Sequence, residues 1–87
     1  MRKLETIIKM MKLAINDIGK PEHEISSNIE DFINDNFWEI EKEDPLIARY
    51  LNDDVVDICE QTEPGLEGTN FRKEIEEAYN KILRMMP

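Results

Sequence analysis

The sequence predicts an all-α protein folded as an antiparallel four-helix bundle. Apolar residues recur at spacings of three and four in four successive segments, which is the pattern of amphipathic α-helices. No segment alternates apolar and polar residues with the period of two that indicates a β-strand. The connections between the four segments are short, and short connections favour antiparallel neighbours. At 87 residues the chain is expected to form a single helical domain over 1–87.

The first and last predicted helices have the clearest apolar stripes. The first helix is expected over 2–18, since Gly19 can end it in a left-handed conformation. Its stripe consists of Leu4, Ile7, Ile8, Met11, Ala14, Ile15 and Ile18, and Met10 and Leu13 can widen the buried face. The last helix is expected over 71–86, after an N-cap at Asn70. Its stripe consists of Phe71, Ile75, Ala78, Tyr79, Ile82, Leu83 and Met86.

The second predicted helix has an ambiguous start. Pro21 can occupy the first turn, or a serine can provide the N-cap, since Ser27 and Glu30 have capping-box spacing. We favour a start near Ser26 and a helix over 26–41. Its stripe consists of Ile25, Ile29, Phe32, Ile33, Phe37 and Ile40. Trp38 lies beside this stripe, and burial in the core is favoured over an exposed anchor for a partner.

The third helix is predicted over 45–62. Asp44 is a suitable N-cap, and Pro45 suits the first helical position. The stripe consists of Leu46, Ile47, Tyr50, Leu51, Val55, Ile58, Cys59 and Thr62. Because Cys59 is the only cysteine and lies on this stripe, we expect a buried structural thiol in a reducing, cytoplasmic compartment.

The negative charge is concentrated in the middle of the chain. The net charge is -9, yet residues 21–67 contain fifteen acids and only two bases. Such a field repels nucleic acids and anionic membranes and attracts basic protein surfaces. A solvated acidic surface that only aids solubility is the alternative. The candidate partner-binding residues follow one another between 52 and 68: Asp53, Asp54, Asp57, Glu60, Glu63 and Glu67.

The sequence contains none of the common catalytic or ligand-binding motifs. It has no phosphate-binding GxxxxGK run, no GxGxxG and no calcium-loop pattern. One cysteine and one histidine do not make a zinc site. Neither Ser26 nor Ser27 has the Asp-Ser-Leu context of a phosphopantetheine carrier. We therefore expect a non-enzymatic protein with no catalytic residue, no metal and no cofactor.

The stretch 52–64 resembles the colicin D immunity proteins and the related bacteriocin and contact-dependent growth inhibition immunity proteins. The resemblance depends on the paired acids Asp53 and Asp54 and on the run Glu60-Gln61-Thr62-Glu63-Pro64. The closing helix, with Arg72-Lys73-Glu74-Ile75 and Lys81-Ile82-Leu83, is similar in position and pattern. The resemblance covers about residues 46–86. Gly65 departs from it, because an acid is expected after the proline, and Glu67 can partly compensate.

This resemblance implies a helical bundle that neutralises a transfer-RNA-cleaving nuclease toxin. The acids Asp53, Asp54, Glu60 and Glu63 would occupy the basic active-site cleft and stand in for substrate phosphates. The implied partner is the cognate basic nuclease domain, without direct contact to nucleic acid or membrane, and the free protein is expected to be a monomer. Tight binding also requires a desolvated anchor, for which Tyr50, Phe71 and Trp38 are the candidates.

Two other functions remain open at this point. One is a regulatory or structural interaction module that binds a partner helix in an apolar groove or forms a homodimer through Met85, Met86 and Trp38. The other is mimicry of DNA to block a DNA-binding protein, which would use the same electrostatics. A salt titration distinguishes the first from an acidic inhibitor, because burial of apolar surface depends little on salt.

Overall fold

The structure, a computed structural model, describes residues 2–16, 21–61 and 71–86. Within these ranges the chain forms four helices and no strand, which confirms the predicted all-α bundle. The helices are Lys3–Asn16, Glu22–Glu43, a composite third helix over 45–60, and Phe71–Met85. The third helix consists of Pro45–Tyr50, Leu51–Val55 and Val56–Glu60 in direct succession. The antiparallel arrangement stays a prediction.

The second helix begins at Glu22, so the expected start near Ser26 is wrong. Pro21 lies at the N-cap position with φ −59° and ψ 138°, and the first turn contains Glu22 and Glu24. Acids in the first turn interact favourably with the positive end of the helix dipole, and this turn forms without a side-chain cap. Ser26 is instead buried inside the helix, where its hydroxyl donates a hydrogen bond to the His23 carbonyl at 3.0 Å.

Asp44 joins the second and third helices by itself. Its backbone N–H donates to the Ile40 carbonyl and closes the second helix. Its side chain accepts a hydrogen bond from the Ile47 backbone N–H at 3.1 Å and caps the third helix. Pro45 follows at the start of that helix, as the sequence predicted.

The middle of the third helix, Leu51–Val55, is π-helical, which the sequence did not predict. The backbone N–H of Val56 donates to the carbonyl of Leu51, five residues back instead of four. This wider turn rotates the residues that follow, so that Val56 and Cys59 are buried together with Leu51 and Val55. The same turn places Asp53 and Asp54 on the solvent side.

The core is one apolar cluster to which all four helices contribute. The first helix packs against the second and the last, and the second packs along all three parts of the third. The fully enclosed side chains include Ile7, Ile33, Leu51, Phe71 and Ile82. The radius of gyration of 12.1 Å equals the roughly 12 Å expected for a compact chain of this length.

Four apolar side chains that the sequence placed in or beside the core are exposed, namely Trp38, Leu46, Leu13 and Leu83. Trp38 is 72% exposed, so the preference for burial is wrong; its ring meets Phe37 edge-on, with the two ring centroids 5.4 Å apart. Leu46 is also exposed, whereas its neighbours Ile47 and Ala48 in the same turn of the third helix are buried. Leu13 is also exposed and does not widen the buried face of its helix. Cys59 is buried, as predicted.

Two side chains, Glu43 and Arg72, connect helix ends that are distant in sequence. The Glu43 carboxylate accepts hydrogen bonds from the backbone N–H groups of Lys3 and Leu4, at 3.1 and 3.2 Å, and so caps the first helix. At the other end of that helix, the Arg72 guanidinium donates to the carbonyl of Ala14. The same guanidinium lies 4.0 Å from a carboxylate oxygen of Glu22.

Candidate functional site

The acidic face of the third helix consists of Asp53, Asp54, Asp57 and Glu60. All four side chains are exposed, and the helix that bears them is fixed to the core by Leu51, Val55 and Cys59. The remaining two candidate residues, Glu63 and Glu67, lie outside the described residues. A partner approaching this helix would therefore meet carboxylates on a scaffold that is already ordered.

No lysine or arginine among the described residues forms an ion pair with the acidic face. The ion pairs between described residues, Lys3 with Glu39 and Arg72 with Glu22, lie away from this face. Asp57 accepts one hydrogen bond, from the side-chain amide of Gln61 at 3.0 Å, one turn along the same helix. The charges of the acidic face are thus available to a partner.

One flank of the acidic face borders a groove between the third and last helices, which we call the interhelical groove. Its volume is about 560 Å³. The wall from the third helix consists of Tyr50, Asp54, Asp57 and Ile58, and the wall from the last helix consists of Glu74, Glu77, Ala78, Lys81 and Arg84. The groove is open to solvent and contains four carboxylates and two cations.

Tyr50 lies half-buried in this groove with a cation on its ring. The Lys81 ammonium is 4.7 Å from the ring centroid, which is cation–π distance. The pKa of the Tyr50 hydroxyl is raised, first by burial and then by the negative charges of Asp54 and Glu77, while Arg84 opposes them. The tyrosine therefore experiences a net negative environment even though two cations lie near it.

The opposite flank of the acidic face borders the second helix. Burial raises the pKa of Glu30, and the negative charges of Glu60 and Asp31 raise it further. Glu60 therefore lies close enough to Glu30 for the two carboxylates to repel each other. The four carboxylates of the acidic face thus cover the solvent side of the third helix from one neighbouring helix to the other, instead of forming a narrow line.

The buried thiol of Cys59 lies beneath this face. Its pKa is raised to about 12, mainly by burial and further by the charges of Glu30 and Glu60. Since the thiolate is the nucleophilic form of cysteine, this environment suppresses its reactivity. The chemistry available at the surface above it is electrostatic attraction of cationic groups.

The three candidate aromatic anchors lie in different environments. Phe71 is 1% exposed and belongs to the core, so no partner can reach it without unfolding. Trp38 is exposed on the second helix. Tyr50 is half-buried in the interhelical groove, beside Asp54 of the acidic face. Of the three, Tyr50 is the one that the structure places beside the predicted partner-binding acids.

Sequence reasoning missed Glu74 and Glu77 as members of this surface. They belong to the last helix, whose segment has a small net positive charge, so counting charges by segment did not identify them as part of an acidic surface. The fold brings them opposite Asp54 and Asp57 across the groove. Their spacing of three residues, which places both on one side of a helix, is the signal that could have revealed them.

Comparisons with protein-family models, with curated proteins and with solved structures each found no match to this chain. Within residues 2–16, 21–61 and 71–86, no three histidine, cysteine, aspartate or glutamate side chains are grouped so as to hold a metal ion. In the same part of the chain, no helix has both the length and the apolar character needed to cross a bilayer.

Proposed function

We propose that this protein is an immunity-type inhibitor that binds and neutralises a basic nuclease toxin, of the class that cleaves transfer RNA. The acidic face of the third helix would enter the active-site cleft and take the place of substrate phosphates. The observation that carries this proposal is that Asp53, Asp54, Asp57 and Glu60 are exposed and have no cationic partner among the described residues.

Electrostatics makes this surface suited to rapid capture of a basic partner. A nuclease cleft is lined with lysine and arginine, and opposed fields can raise association rates to about 10⁸ M⁻¹s⁻¹ at low salt. An immunity protein benefits from such rates, because the toxin must be blocked before it cleaves RNA. A rigid helix also reduces the ordering cost of binding, since the carboxylates are already positioned.

The direct test is charge reversal at two positions of the acidic face that lie outside the groove. The double variant Asp53→Lys and Glu60→Lys is mixed with the basic nuclease domain of a transfer-RNA-cleaving toxin, and the association rate is followed by stopped-flow fluorescence. We expect the rate to fall at least about 100-fold at low salt, since steering would be lost. The wild-type rate should also fall as salt rises.

The matched control is the double variant Asp35→Lys and Glu76→Lys. It makes the same change in net charge at two exposed positions, on the second and last helices, that belong to neither the acidic face nor the interhelical groove. If both double variants slow association equally, only overall charge matters and the acidic face is not the binding site. If neither slows it, or if no basic nuclease binds the chain, the proposed function is wrong.

A second candidate function is an interaction module that binds through apolar surface. It is favoured by the 72% exposure of Trp38 and the 70% exposure of Leu46. Met85 and Met86 are partly buried against the core, so they offer less of a homodimer face than their sequence positions suggested. This candidate predicts that Trp38→Ala abolishes complex formation, that binding is insensitive to salt, and that the acidic-face variants bind normally.

A further inference from the structure

We draw no further inference here: the strongest candidate, the surface patch formed by the exposed Trp38 ring and its edge-on neighbour Phe37 on the second helix, carries nothing, because nothing in the described part of the chain shows what covers it.

Discussion

Carboxylates in two regions of this molecule have different roles, although they contribute equally to the net charge. Near the ends of the first helix, Glu43 caps two backbone N–H groups and Glu22 lies beside Arg72 with one oxygen buried. On the third helix, Asp53 and Glu60 are exposed and have no cationic partner in the described part of the chain. Of these two regions, only the second has carboxylates that are free to attract another protein. The negative charge available for binding is therefore smaller than the number of carboxylates suggests.

The largest expected effect follows from removing the cation of the first region. Arg72→Met would leave the Ala14 carbonyl without this donor and would remove the ion pair with Glu22. We expect the free energy of unfolding to fall by about 2–3 kcal/mol, as for a partly buried hydrogen bond to a charged group. Urea denaturation followed by circular dichroism measures this change.

Lys73→Met is the matched control for that experiment. Lys73 is the exposed neighbour of Arg72, and its loss should cost less than about 0.5 kcal/mol. Equal destabilisation by both variants would mean that Arg72 stabilises the protein only by adding a positive charge to the last helix. Its contacts with Ala14 and Glu22 would then contribute nothing specific, and the first region would not differ from an ordinary exposed surface.

A smaller effect is expected at the cap of the first helix. Glu43→Ala removes the acceptor of the Lys3 and Leu4 N–H groups, so we expect a loss of about 1 kcal/mol, typical of an N-cap. Glu39→Ala is the control, since Glu39 approaches Lys3 only through an exposed ion pair of 3.9 Å. Its loss should cost below about 0.5 kcal/mol. A cost at Glu39 that matches the cost at Glu43 would contradict the capping role.

The smallest effect belongs to the acidic face itself. The folded-state pKa of Glu30 is raised, so ionised Glu30 opposes folding above that pKa and this opposition disappears as the pH falls through it. Glu60→Gln removes one of the negative charges that raise the pKa of Glu30. We expect it to lower the pKa of Glu30 in a ¹³C NMR titration and to stabilise the protein at pH 7 by less than about 0.5 kcal/mol.

At pH 3, where the raised pKa of Glu30 leaves its carboxyl uncharged, Glu60→Gln and the wild type should unfold at the same urea concentration. Glu76→Gln, on an exposed turn of the last helix, should leave the Glu30 titration unchanged. A marked loss of stability in Glu60→Gln at pH 7 would show that the acidic face is structural, which would remove the difference between the two regions.

Periodicity predicted the last helix well, because an amphipathic stripe depends only on local spacing. Phe71, Ile75, Ala78 and Ile82 are all buried as the stripe requires, whereas Leu83 at its edge is 43% exposed. The start of the second helix was missed because two serines offered a plausible cap. The helix instead begins at Glu22, where Pro21 precedes a first turn that contains two acids.

The candidate site was only partly predictable, because its second wall comes from tertiary packing. The acids of the third helix are adjacent in sequence and were identified directly. Glu74 and Glu77 join them only when the last helix packs beside the third. Trp38 escaped prediction for a related reason: a position next to a stripe can face either way, and neighbouring helices decide which.

The wide turn at Leu51–Val55 contains one residue more than an ordinary α-helical turn, and this has a consequence for the acidic residues that follow it. Each residue of an α-helix advances about 100° around the axis, and the wider winding offsets the advance of the extra residue. Deleting Asn52 should therefore restore ordinary winding while Asp57 and Glu60 keep their side of the helix and every charge is retained. The direction in which these carboxylates point thus does not depend on keeping the extra residue.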